Sequence, residues 1–227
     1  MPIDRSIATK KDIEEGYDAV AEKMFVSKDF YSEVLDTVRW WHGDVLEAGV
    51  GQGPVLEIIK KRGGRALTSL TGLDISAKLL ELARTRIPEV KLVKGEIEKM
   101  PFSDASFDFV VMVDVFQYLL DFDKGLQEVR RVLRPQGVFV VSVPNKKWIL
   151  FKSYIKTRKN IQPVEDHFFD FLEMKKLLES HAFTIKKMRG ADALRFYGKR
   201  HKLEKIVVLL LPFLNRYMKK MVFVAST

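Results

Sequence analysis

Apolar and aromatic residues between positions 11 and 38 (Ile13, Tyr17, Val20, Ala21, Met24 and Phe25, then Phe30, Tyr31, Val34, Leu35 and Val38) recur every three or four places, with charges between them. That is the spacing of one buried helix face, and it predicts two helices with a break near Ser27-Lys28-Asp29. From residue 44 the period changes. Short apolar runs alternate with amphipathic stretches, predicting strand 44–48, helix 54–61, strand 66–73, helix 77–86, strand 90–94, strand 107–113, helix 124–132 and strand 137–143. Pro54 is acceptable in the first turn of a helix, and Leu133-Arg134-Pro135-Gln136-Gly137 reads as a turn between a helix end and a buried strand. Strand-helix alternation sustained in this way implies a parallel sheet covered on both faces.

Beyond Pro144-Asn145 the pattern loosens. Residues 146–163 are basic and aromatic, with Trp148, Phe151 and Tyr154; helix 171–180, strand 183–188, a strongly apolar helix 203–218 and a last strand 221–226 follow. The apolar run 206–211 is cut by Pro212 and falls well short of the roughly 18 residues of a membrane span. The start, Met1-Pro2-Ile3-Asp4-Arg5, lacks the charged-then-apolar order of a signal peptide, so a cytoplasmic protein is expected.

The chain has 227 residues, 47% of them hydrophobic, enough to bury a core, and no cysteine, which removes disulfides, thiolate metal sites and cysteine nucleophiles. The net charge of +9 is uneven: residues 1–144 hold 20 Lys+Arg against 23 Asp+Glu, whereas residues 145–227 hold 19 against 7. All the positive excess therefore lies in the last third. Such a face attracts phosphate, anionic lipid, nucleic acid or an acidic small molecule, or is simply a solvated surface.

The candidate chemistry gathers at the strand ends, where ligands of open parallel sheets bind. The first strand runs into Glu47-Ala48-Gly49-Val50-Gly51-Gln52-Gly53, the second ends at Asp74, the third in Gly95-Glu96-Ile97-Glu98-Lys99-Met100-Pro101-Phe102, and the fourth in Asp114-Val115-Phe116-Gln117-Tyr118-Leu119. Glycines at alternate positions let a nucleotide approach bare backbone. An acid after the second strand can accept both ribose hydroxyls, one after the third can accept an exocyclic amine, and Ile75 and Ile97 can sandwich a base. NAD is disfavoured, because its fingerprint needs Gly-x-Gly-x-x-Gly and position 54 is Pro.

These segments resemble the class I S-adenosylmethionine-dependent methyltransferases, particularly the small-molecule group that includes the ubiquinone and menaquinone biosynthesis enzymes. Glu47–Gly53 is similar to that family's acid-and-glycine loop, Asp74 to its ribose-binding acid, and 95–102 to its Gly-acid-x-x-x-x-Pro-Phe segment; Ser106-Phe107-Asp108 and 133–137 resemble its following strand and turn. Residue 50 is Val where the family often has Cys, and Glu96 stands for the commoner Asp. The resemblance implies a Rossmann-like, seven-stranded, mostly parallel sheet with helices on both faces and an antiparallel last strand. It implies one domain: an N-terminal helical cap (1–42), a cofactor-binding core (43–145) and a basic substrate-side region (146–227). The implied cofactor is S-adenosylmethionine, with S-adenosylhomocysteine as product and no metal. Tyr17, Glu47, Gly49, Gly51, Gly53, Asp74, Ile75, Glu96, Ile97 and Asp114 are the implied binding residues, although Tyr17 could be core and Asp114 a helix N-cap before 115–120.

The methyl would move by in-line displacement, which asks the protein mainly to position and desolvate the acceptor. His167 is the candidate general base if the acceptor is a hydroxyl, or else a structural residue beside Asp166. The aromatic, basic last third suits a small-molecule acceptor that is apolar and anionic, or lipid-like and reached from an anionic membrane surface. RNA is the rival acceptor class, and a non-catalytic S-adenosylmethionine-binding protein the alternative to an enzyme.

Overall fold

A computed structural model describes residues 3–4, 6–24, 27–148, 164–191 and 218–227. Its strands are β1 (Gly43–Ala48), β2 (Leu67–Asp74), β3 (Lys91–Lys94), β4 (Phe107–Val113), β5 (Leu133–Pro144), β6 (Thr184–Ala191) and β7 (Lys220–Ser226), and they form one sheet in the order β3-β2-β1-β4-β5-β7-β6. Pairs β1–β2, β2–β3, β1–β4 and β4–β5 are parallel, and β7 runs antiparallel to both its neighbours. The order reverses between β1 and β4, the place where such a sheet opens a crevice beyond its strand ends.

Six described helices accompany the sheet: α1 (Lys10–Val20), α2 (Lys28–Leu35), α3 (Pro54–Gly63), α4 (Ala77–Arg86), α5 (Phe122–Val132) and α6 (Phe171–Ser180). Alternation along the strands divides the core in two. Val45, Val111 and Val140 pack with Leu35, Leu56 and Leu80, whereas Leu46, Val110 and Val141 pack with Leu126, Val129 and Met174. In α5 the buried residues Gly125, Leu126, Val129 and Val132 follow helical spacing, and Asp121 caps the helix by accepting from the Lys124 N–H. Capping boxes begin α1 (Thr9 with Asp12) and α6 (Asp170 with Glu173).

Helices 77–86 and 171–180 and strand 107–113 begin and end where the pattern places them. The first break opens earlier: α1 stops at Val20, a 3-10 turn covers Ala21–Lys23, and Ser27 caps α2 by accepting from Phe30 N–H. The expected turn 133–137 belongs to β5. Phe107 pairs with Leu133 and Phe109 with Val138, so the residues between loop out as a bulge, with Pro135 and Gln136 exposed while Leu133 and Gly137 stay buried. β6 continues to Ala191 because Gly190 and Ala191 pair with Met221 and Lys220, and small residues carry no apolar signal. The helix expected over 115–120 is a single 3-10 turn, Phe116–Tyr118. Most of the expected helix 203–218, along with Phe151 and Tyr154, lies outside the described residues.

Candidate functional site

A cavity of about 450 Å³ lies at the carboxyl ends of β1, β2 and β4, with Ile13 and Tyr17 of α1 in its wall. The glycine loop turns it open. Gly49 holds φ +83°, and a Cβ there would stand 2.4 Å from Val115 Cγ2. Gly51, at φ +51°, meets nothing within 4 Å where its Cβ would be, and its N–H donates to Asp74 Oδ2 at 2.8 Å. Gly53 caps α3 at φ +81° and does not line the cavity.

Two buried carboxylates stand beside that loop. Asp74, 7% exposed, also accepts from Ser76 N–H at 3.0 Å. Burial pushes its carboxyl up to about 6 against the pull of these hydrogen bonds, and the charge of Asp18 adds to the rise. Glu47, 2% exposed, accepts from Leu56 N–H at 3.1 Å, and burial raises it well above the usual carboxylate range. Ile75, Glu96 and Ile97 line the wall beyond them. Such a wall can take hydroxyls and a flat base, and its acids can face a cationic group.

α1 buries only Ile13 and is tied across the cavity mainly by polar contacts. Asp18 accepts from Ser76 Oγ and Lys78 N–H, Lys94 donates to Glu14, Lys10 pairs with Glu98, and Gln52 Nε2 donates to Ala21 O at 2.8 Å. Tyr17 lines the cavity and meets Tyr118 edge-on, ring centroids 6.0 Å apart. Both phenols are pushed up, chiefly by burial; the nearby charge of Asp74 adds to this at Tyr17, and the Tyr118 hydroxyl donates to Asp166. Tyr17 therefore faces the site rather than the core.

At the other end Asp114 adopts φ +59°, its N–H donates to Ser142 Oγ at 3.0 Å, and its carboxylate receives Lys220 Nζ from the start of β7. It does not cap the following turn, whose cap residue is Val115. Trp148, Asp166 and Phe168 complete this wall. His167, between the last two, is absent from the lining: its Nε2 lies 2.7 Å from Glu173 Oε1, and its ring packs edge-on against Phe122 and Phe169. His42 stacks edge-on against Phe109, and among the described residues no group of three or more His, Asp or Glu is placed to hold a metal.

Nine of the ten expected cofactor residues thus share one cavity, Gly53 standing just behind it, while His167 does not join them. Gln52, Asp18, Gln117, Tyr118, Asp166 and Lys220 were not singled out by the sequence. Gln52 and the Gln117-Tyr118 pair sat inside flagged segments and Asp166 beside a flagged one. Asp18 and Lys220 act across 58 and 106 residues of chain and carry no local signal.

Among known proteins, residues 46–141 match the family model described as a methyltransferase domain. The chain is 35% identical over 147 residues to a probable S-adenosylmethionine-dependent methyltransferase of Mycolicibacterium smegmatis, covering 65% of this chain and 54%, just over half, of that one. It is 30% identical over 166 residues to a demethylmenaquinone methyltransferase of Thermotoga maritima, covering 66% of this chain and 71% of the other. In fold it is similar to a solved S-adenosylmethionine-dependent methyltransferase of Thermotoga maritima, a possible histamine N-methyltransferase, with a TM-score of 0.68 at 20% identity over 94% of this chain and 99% of that one.

Proposed function

We propose that this chain, which belongs to the class I S-adenosylmethionine-dependent methyltransferases, holds its cofactor in the strand-end cavity and passes the methyl to a small, lipid-like acceptor at the Trp148–Phe168 end. The observation that carries the reading is the meeting of Glu47, Asp74, Glu96, Tyr17 and the bare Gly51 backbone in one cavity. The residues fit the group: Gly51 leaves open space where a side chain would stand, and Asp74 and Glu47 are buried carboxylates with no cation paired to them among the described residues.

In this reading Asp74 accepts from the two ribose hydroxyls, Ile75 and Ile97 cover the faces of the adenine, and Glu96 stands at its amine. The glycine loop gives the methionine end a bare backbone surface, its Gly49, Val50, Gly51 and Gly53 N–H groups being held by Leu73, Asp74 and Val50; Glu47 faces the ammonium, and Asp114 borders that end. When bound, the cofactor supplies a methyl on a positively charged sulfur, already activated for in-line displacement. The chain's share is placement and dryness. Tyr17 and Ile13 close α1 over the site, and the acceptor is held against aromatic walls. His167, committed to Glu173, takes no part as a base.

The acceptor class rests on three supports: the aromatic Trp148 and Phe168 beside Lys219 and Lys220, the positive excess of the last third, and the relative whose name gives demethylmenaquinone as its substrate. Incubation with methyl-labelled S-adenosylmethionine and a bacterial extract split into lipid, RNA, protein and small-metabolite fractions tests it. Label should enter the lipid fraction. Label in RNA would overturn the acceptor class, and binding of S-adenosylhomocysteine without transfer to any fraction would overturn the enzyme reading.

A further inference from the structure

Three alternate N–H groups pin the irregular segment 164–169 along the cavity: Glu165 donates to Ile3 O at 3.0 Å, His167 to Gln117 O at 3.3 Å and Phe169 to Pro144 O at 3.0 Å. The residues between them, Asp166 and Phe168, line the cavity. Asp166 is partly buried, and its carboxylate accepts from the Tyr118 hydroxyl. Tyr118 is fixed in turn by its edge-on contact with Tyr17 and by its N–H, which donates to Val115 O at 2.9 Å. A carboxylate is thus held by backbone on both sides and by a phenol in front, on the same space as Trp148 and Phe168. Other acid–base groups at this end are committed differently. Asp114 receives Lys220 Nζ, His167 is turned to Glu173, and burial pushes the Tyr17 and Tyr118 phenols up, so both keep their protons.

We propose that Asp166 is the general base of the transfer and that the acceptor presents a hydroxyl to it, the oxygen of that hydroxyl being the atom methylated. This rests on the cofactor placement proposed above, which leaves the Trp148–Phe168 end to the acceptor. An amine attacks through a free lone pair and can shed its proton to water afterwards. A hydroxyl is a weak nucleophile and gains from a base in the transition state. The hydroxyl oxygen forms the new bond to the methyl carbon, the carbon–sulfur bond breaks with its electron pair on sulfur, and the hydroxyl proton passes to the Asp166 carboxylate and then to water. As the oxygen–carbon bond forms the oxygen becomes more positive and its proton more acidic, so a carboxylate is basic enough to take it. The acceptor class is thereby narrowed to lipid-like alcohols and phenols.

Asp166→Asn keeps the shape of the side chain and still accepts from Tyr118, but takes no proton. It should melt within a few degrees of the parent, bind S-adenosylhomocysteine within about threefold, and transfer label from S-adenosylmethionine into a total bacterial lipid extract at least about 100-fold more slowly. Asp166→Ala should be as slow, and sodium formate should raise its rate about tenfold where sodium chloride at the same concentration does not, because formate fits the vacated space and accepts the proton. Loss of a merely structural contact would show no such rescue. Mass spectrometry of the labelled lipid should place the methyl on oxygen. The proposal is overturned if Asp166→Asn keeps the parent's rate, if its melting temperature or S-adenosylhomocysteine affinity falls along with the rate, if formate does not rescue Asp166→Ala, or if the label sits on nitrogen or carbon. A parent that binds no S-adenosylhomocysteine overturns the cofactor placement and this proposal together, and that measurement needs no acceptor. If the parent labels a different fraction, the lipid reading fails and the same variants on that fraction decide Asp166.

Discussion

Asp74→Asn should separate binding from stability. In the free protein burial pushes the Asp74 carboxyl from 3.8 to about 6, which disfavours its ionised form by about 3 kcal/mol relative to the unfolded chain. Between those two values the native state holds the proton more tightly than the unfolded chain. The contribution of Asp74 to stability is therefore present at low pH, falls as pH rises through the window from 3.8 to about 6, and stays lost above it. Asparagine removes that penalty but must turn an Nδ2–H toward either the Gly51 or the Ser76 N–H, costing about 1–2 kcal/mol. The variant should thus be as stable as the parent or about 1–2 kcal/mol more stable at pH 7.5, a gain of a few degrees, and should lose that advantage near pH 4. Binding goes the other way. One of two charge-assisted hydrogen bonds to the ribose is lost, about 2–3 kcal/mol, so the S-adenosylhomocysteine Kd measured by calorimetry should rise about 30- to 150-fold. The share of the pH dependence that belongs to Asp74, a fall in parent affinity below pH about 6, should be missing from the variant. Equal losses of melting temperature and affinity would refute the reasoning, for they would make Asp74 a structural cap. An unchanged Kd would refute it too.

Burial raises the Glu47 carboxyl well above the usual carboxylate range, so a cofactor ammonium arriving beside it should favour the ionised form and promote proton release. Calorimetry at neutral pH in buffers of different ionisation heat should show that release for the parent and none for Glu47→Gln. Gly49→Ala combines left-handed backbone strain with an overlap at Val115, and a loss of about 2–4 kcal/mol in urea unfolding is expected. Val115→Ala should recover only the overlap portion, leaving the strain. Arg131 joins Glu128 and Asp104 to the carbonyls of Met100 and Phe102, so Arg131→Ala should lower stability by about 2 kcal/mol, read as a drop of roughly 4–8 °C in melting temperature, with S-adenosylhomocysteine affinity changed less than about fivefold.

The strand-end cavity was legible because fully buried strands write themselves as continuous apolar runs, and the residues just past them lie at the sheet's carboxyl edge. Glu47, Asp74 and Glu96 needed no knowledge of packing to be found. Contacts across long stretches of chain were not legible: Asp18 reads as one more charge on an amphipathic helix, although it reaches Ser76 and fastens α1 to the site. His167 shows where side-chain chemistry alone misleads. Along the irregular 164–169 segment Asp166 and Phe168 line the cavity while His167, between them, turns to Glu173. Of the two roles the sequence allowed His167, a base or a structural residue, the contact with Glu173 matches the structural one. The bulge at 134–137 hid for a different reason, since Pro135-Gln136-Gly137 has the composition of a turn and only the pairing of Leu133 with Phe107 makes it part of β5.

The most direct test of the account is a crystal structure of the protein with S-adenosylhomocysteine. It should show both ribose hydroxyls within hydrogen-bond reach of Asp74, the adenine between Ile75 and Ile97, the amino group facing Glu47, and the sulfur turned toward the wall formed by Gln117, Trp148 and Phe168. A nucleoside bound away from Asp74, or a sulfur turned toward α3 instead of that wall, would contradict it.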